Sequence, residues 1–290
     1  MRPTDAARLT RPRVSPLLLA ASAIGGLTIF YPFLLPLLGR HSTGRGVAVP
    51  LLFALLAGVC LLTTIGEVQG RATRDLPSAS KLVALLGVLV AVDSALRLIP
   101  SLLGASPIFL LIILVGYSYG PDFGFLMGSL TLLVSALITG GVGPWLPFEM
   151  LTSGWVGLTA GWLPRTSGRR EIVLLALFGA LWGLLYGAIM NLWEWPFAAP
   201  GLARPVGLYW APGMGAAQAL AAYARYYLVT SLVYDLFRTA GNVLLIAFLA
   251  RPILALLDRF HQRFTWQPWT PFDAAPETPP LSRAPGEGLG

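Results

Sequence analysis

Cysteine, lysine and histidine are nearly missing from this chain of 290 residues. The single cysteine, Cys60, excludes an intrachain disulfide and any Cys-rich metal site, and it reads as a small apolar residue within a hydrophobic run. Lys81 is the one lysine and no GxxxxGK[ST] phosphate loop occurs, so ATP hydrolysis by that route is not expected here and any ATP drive must come from another subunit. His41 and His261 fall in regions expected on opposite sides of the molecule, and HExxH and GxSxG are both lacking, which gives no support to a metal or serine-hydrolase site. Glu149, Glu194 and Asp235 have no nucleophile or metal constellation beside them, so no catalytic residue, cofactor or metal is assigned.

Charge is scarce as well. Only 11% of residues are charged against 56% hydrophobic, and the mean hydropathy of +0.71 does not fit a surface facing water. A bilayer core of roughly 30 Å needs about 20 mostly apolar residues per helix. Runs of that kind predict an all-α integral membrane protein with eight spans: Ser15 to Leu38, Val47 to Gly66, Leu82 to Ile99, a short one from Pro107 to Tyr119, Phe123 to Thr139, Trp145 to Leu163, Ile172 to Trp193, and Ala221 to Ala250. Four arginines precede the first run and Ala21-Ser22-Ala23 lies inside it, as in a secretory signal. The run continues to Leu38, however, which favours an uncleaved span.

The net charge of +7 does not imply nucleic acid, because the basic residues gather at helix ends and form no basic domain. With a cytoplasmic N-terminus, fourteen of them (Arg2, Arg8, Arg11, Arg13, Arg71, Arg74, Lys81, Arg165, Arg169, Arg170, Arg251, Arg259, Arg263, Arg283) lie inside. Five (Arg40, Arg45, Arg97, Arg204, Arg225) lie outside, and Arg238 falls within a span. That bias predicts both termini cytoplasmic. The Pro-rich stretch 261–290 opposes a packed core and is expected to be a disordered cytoplasmic tail.

Small residues four apart let helices in lipid approach closely. Such ladders occur at Gly120, Gly124 and Gly128, at Gly157 and Gly161, at Gly179, Gly183 and Gly187, and at Gly87, Ala91 and Ala95. Packing within the bundle is the ordinary use for each, and one of them can face a partner.

Ionisable groups in a span are costly and mark functional candidates. Under the orientation above, Trp145, Phe148 and Glu149 reach the outer side. So do Asn191, Trp193, Glu194 and Trp195 of the NLWEWPF segment. Tyr227, Ser231, Tyr234, Asp235, Arg238 and Asn242 recur at three- and four-residue steps and predict one polar stripe on the last helix. Together these predict an outward-facing, apolar-lined site with a few orienting polar groups, although aromatics also populate membrane interfaces and Asp235 with Arg238 also fits an internal ion pair. Asp93 and Arg97, spaced i, i+4, are expected to neutralise one another.

From Lys81 to Phe260 the order of spans, the stretch GPDFGFLMGSLTLLVSALITGG, the following GPWLPFEM and the segment GAIMNLWEWPF resemble the S components of energy-coupling factor (ECF) vitamin transporters, over about 180 residues. The resemblance implies a six-helix substrate-binding domain over 81–260 that works with a transmembrane coupling subunit and two cytoplasmic ATPases. It also implies that the loaded S component topples within the membrane to release its substrate. In this family small residues on the first helix meet the coupling subunit, and Gly87, Ala91 and Ala95 occupy that span. Residues 1–80 depart from the six-helix pattern by adding two expected spans. The aromatic outer segments suit a large planar or ring-bearing ligand, and the motif style of the resemblance implies a cobalamin-type corrinoid first, with riboflavin or another vitamin next. A stand-alone secondary transporter coupled to protons or sodium through Glu149, Asp235 or Asp93 is the alternative, and an intramembrane enzyme or assembly factor a more distant one.

Overall fold

The computed structural model describes residues 14–33, parts of 55–66, 77–101, 103–196, 207–211 and 213–264. Most of the expected second span, together with Cys60 and residues 265–290 of the expected tail, lies outside them. Among the described residues there is no β-strand, and the principal helices are α1 (Pro16–Ile29), α2 (Pro77–Leu96), α3 (Ile108–Tyr119), α4 (Pro121–Thr139), α5 (Leu146–Ala160), α6 (Arg169–Glu194), α7 (Ala216–Thr230) and α8 (Leu232–Phe264). By length and composition α4, α6 and the Leu232–Phe260 part of α8 can each cross a membrane.

Local sequence explains several boundaries. Ser15 caps α1 by accepting from the Leu18 N–H at 3.2 Å, and proline occupies the first turn of α1, α4 and α5, where its missing N–H costs nothing. Gly120, at φ 96°, makes the one-residue link between α3 and α4, and Gly140 ends α4 in the left-handed conformation.

Twelve-residue α3 is only about 18 Å long at 1.5 Å per residue. Every residue from Ile108 to Tyr117 is buried, as suits a helix apolar on all sides. It stands at the centre, touched by α2, α4, α5, α6 and α8, and these five form a closed ring in the order α2, α4, α5, α6, α8. α1 lies outside the ring against α5 and α6.

Three of the four small-residue ladders are consumed inside this ring. A Cβ on Gly124 would fall on the carbonyl of Gly157, one on Gly157 on the carbonyl of Gly124, and one on Gly128 on the carbonyl of Ser153, so α4 and α5 meet backbone to backbone. On α6, Gly179, Gly183 and Gly187 face Ile246 with Asn242, Thr239 and Asp235 of α8. The fourth ladder differs: Gly87, Ala91 and Ala95 are exposed, and a Cβ on Gly87 would meet nothing within 4 Å.

Two expectations need correction. The single last span from Ala221 to Ala250 is divided at Ser231, whose φ of −127° leaves the helical region. Thr230 Oγ1 bonds back to the Tyr226 carbonyl at 2.7 Å, an i−4 bond of the kind that bends helices, and Asn191 Nδ2 donates to Ser231 Oγ at 2.6 Å. The last helix then continues through Pro252 to Phe264, well beyond Ala250. The expected Asp93 and Arg97 pair is also not formed. Asp93, fully buried, accepts from Thr131 Oγ1 of α4 at 3.0 Å, whereas Arg97, at the end of α2, reaches across to Glu149 of α5. Partners from neighbouring helices win over the i, i+4 partner, which periodicity alone cannot foresee.

Candidate functional site at one end of the ring

One end of the bundle carries the ends of α2, α4 and α6 and the start of α5. There Arg97 Nη2 holds both carboxylate oxygens of Glu149, at 3.0 and 3.2 Å. Glu149 lies in the first turn of α5, beside Trp145 and Phe148. The rings of both aromatics approach Trp193 of α6, with centroids 6.0 and 6.4 Å away. Two of the three predicted stretches therefore come together.

The third contributes through α8. Asp235, 1% exposed, is ion-paired with Arg238, which also donates to the Gly183 carbonyl at 3.3 Å and lies 5.3 Å from the centre of the Tyr186 ring. Gly187 has no side chain, and this lets the Asp235 carboxylate press against α6. The buried ring of Tyr186 meets Phe109 of α3 edge-on at 4.8 Å, and Ser153 Oγ donates to its hydroxyl at 3.5 Å. Tyr186 thus ties α6 to α3, α5 and the Arg238 guanidinium of α8. The loop before α3 completes the wall. Gly104, at φ 91°, lies so close to the Tyr234 carbonyl and Arg238 that a Cβ would be 3.0 Å from the one and 3.5 Å from the other, and only glycine adopts that conformation without strain. Non-helical backbone at this depth is tolerated because it packs against protein.

Other candidates are differently employed. Asn242 donates to the Gly179 carbonyl at 2.9 Å, and Thr239 to that of Ala180 at 3.2 Å, so both pin α8 to α6 deeper in the bundle. Trp195 is 1% exposed and donates to the Leu208 carbonyl at 3.0 Å, its ring packed between Phe33 and Tyr223. Glu194 is exposed, Tyr227 half-buried on α7, and Tyr234 is 51% exposed on the outer side of α8. The break at Ser231 interrupts the expected stripe, with Tyr234 turned to the outer side while Tyr227 still lies beside Asp235 across it.

Tyr186 and Phe109 join the cluster and Phe33 packs on Trp195, none of them singled out by pattern, and Arg97 joins it through Glu149 rather than through the expected Asp93. Tyr186 carried a signal, lying three residues after Gly183 on the face of α6 that meets α8. Arg97 did not, because its partner is 52 positions away. Several buried polar atoms, among them Arg97 Nη1, Asp235 Oδ2 and Asn242 Oδ1, have no hydrogen-bond partner. Among the described residues no three His, Cys, Asp or Glu side chains gather as a metal would require.

The opposite end is basic. Arg165 donates to the Ser118 carbonyl at 3.1 Å and lies 4.4 Å from the centre of the Tyr117 ring, and Lys81, Arg169, Arg170 and Arg259 are exposed. Ion pairs at one end and exposed cations at the other suit a bundle set across a membrane.

No curated protein and no solved structure matches the chain. The family model for the substrate-specific component of ECF transporters matches residues 81–250, the stretch from the start of α2 into α8 that builds the closed ring and its two ion pairs. This chain belongs to that family: it is a membrane-embedded, substrate-specific subunit that partners an ECF membrane and ATPase module.

Proposed function

We propose that the chain captures a vitamin or vitamin precursor at the end of the ring carrying Trp193, and that this end faces outward with both termini in the cytoplasm. The observation that carries the reading is the Arg97–Glu149 pair beside the Trp145, Phe148 and Trp193 rings, with the Asp235–Arg238 pair against Tyr186 two turns from Trp193 on the same helix. Buried ion pairs leave little net charge, while unpartnered donor and acceptor atoms next to aromatic faces can orient a neutral, ring-bearing ligand. A cobalamin-type corrinoid is the first candidate and riboflavin the second. Trp145, Phe148, Glu149, Asn191, Trp193, Asp235 and Arg238 are the proposed contacts. Trp195 and Asn242 support them from behind.

The exposed face of α2 supports the docking half of the reading. Gly87, Ala91 and Ala95 are the one small-residue ladder not used within the ring, and a partner helix could approach there closely. The proposed partner is the coupling subunit with its two ATPases.

The test is purification of the full chain, mass-spectrometric identification of any bound vitamin, and equilibrium binding of cobalamin and riboflavin without ATP. Uptake into proteoliposomes by the chain alone under a proton or sodium gradient, with no vitamin bound at equilibrium, would overturn the proposal in favour of a stand-alone transporter.

A further inference from the structure

We infer that α1, which precedes the family-matched segment, is a permanent wall of the capture domain that seals its flank and its aromatic end, on the side of the ring away from α2, and so takes no part in docking. Contacts distributed along the helix and its two ends carry the inference. The Ser15 N–H donates to Asp122 Oδ1 of α4 at 3.2 Å, at the basic end. One turn into the helix, Leu18 is fully buried. At mid-height Trp155 Nε1 of α5 donates to Ser22 Oγ at 3.1 Å, and Gly25 lies so close to Leu151 that a Cβ would be 2.7 Å from its Cδ1. At the far end Phe33 stacks on Trp195 at 5.8 Å and meets Tyr223 edge-on at 5.7 Å.

The buried residues of α1, namely Leu18, Ala21, Gly25, Thr28 and Ile29, recur at three- and four-residue steps and form one face. Leu17, Leu19, Ile24 and Leu27, 39 to 62% exposed, form the other. A lone anchor in lipid would need no hydrogen bonds to its neighbours and no glycine at its contact, whereas α1 has both. Phe33 also matters to the site end. Trp195 is the largest fully buried side chain, and without Phe33 one face of its ring would open.

The ring order fixes what this does for docking. Around α3 the helices run α2, α4, α5, α6, α8, so the junction of α5 and α6 lies across the ring from α2. α1 occupies that junction. The flank it covers is closed to a partner, while among the described residues nothing covers the ladder on α2 at Gly87. α1 therefore moves as one body with residues 81–260 and takes no part in docking.

The experiment uses the full chain with Cys60→Ser, so that Gly25→Cys and Leu151→Cys are the only thiols. The added Gly25 side chain then faces a shortened residue 151. Oxidation in native membranes should give a near-complete intrachain crosslink, and the locked chain should copurify with its coupling subunits as well as the reduced one. Asn191→Cys with Ser231→Cys in the same background is the positive control. Failure of the first pair to crosslink while the control does would remove α1 from the wall. A crosslink that abolishes copurification would show that α1 must leave for docking, and would overturn the inference while leaving the capture proposal intact. Phe33→Ala supplies an independent reading: thermal stability should fall by several degrees, and an unchanged melting temperature would mean that Phe33 seals nothing.

Discussion

A matched pair of glycine-to-alanine substitutions tests the packing on which everything else is built. At Gly157 an added Cβ would lie 2.9 Å from the Gly124 Cα and closer still to that residue's carbonyl carbon and oxygen. All three are backbone atoms, so no rotamer change makes room, and α4 and α5 must separate by on the order of 1 Å. Overpacking typically costs about 1–3 kcal/mol, and a backbone obstruction places Gly157→Ala at the upper end. At roughly 2–4 °C per kcal/mol for a domain of this size, the melting temperature should fall by about 6–12 °C. Gly87→Ala adds the same methyl where nothing lies within 4 Å. There alanine's better helix propensity, about 1 kcal/mol, is unopposed and the melting temperature should rise by about 2–4 °C. Both are read by thermal unfolding of the purified full chain in one detergent. Equal melting temperatures for the two variants would refute the backbone-to-backbone crossing of α4 and α5.

Arg97→Gln should cost about 1.5–3 kcal/mol by removing a charge-assisted bond and leaving Glu149 unpaired; the Arg97→Glu, Glu149→Arg double variant should recover part of the loss, and thermal unfolding with a double-mutant cycle measures both. Trp193→Ala and Asn191→Ala should weaken vitamin binding at least tenfold with a smaller effect on melting, as measured by titration beside thermal unfolding, and parallel loss of both would mean that these side chains only hold the fold. Ala91→Trp should abolish copurification with the coupling subunit and leave vitamin affinity within about twofold, since that position is exposed on α2 and lies more than one turn before Arg97; Ala95→Trp should likewise abolish copurification.

Particular residues show how far the sequence could be read. The glycine ladders were visible as spacing, and three of them do pack helices, because in lipid close approach needs small side chains wherever the helices happen to cross. Asp235 and Arg238 could be seen as neighbours on a helix, and they are ion-paired. The partner of Arg97 could not be read, because two helices intervene between it and Glu149 in the chain. The stripe drawn from Tyr227 to Asn242 assumed an unbroken helix. The bend at Ser231 arises from a local Thr230 bond joined to a contact from Asn191, which lies on another helix.

Composition and periodicity alone determined that this is a helical membrane protein, since the cost of exposing backbone or charge to hydrocarbon leaves few other solutions. Only the tertiary structure decided that short α3 is the axis of the bundle, that Arg97 serves Glu149, that Trp195 is enclosed by Phe33 and Tyr223, and that the ladder on α2 is the one left open. Those outcomes depend on which helix faces which, and that is set by the sum of many weak contacts between segments distant in sequence rather than by any pattern within one segment.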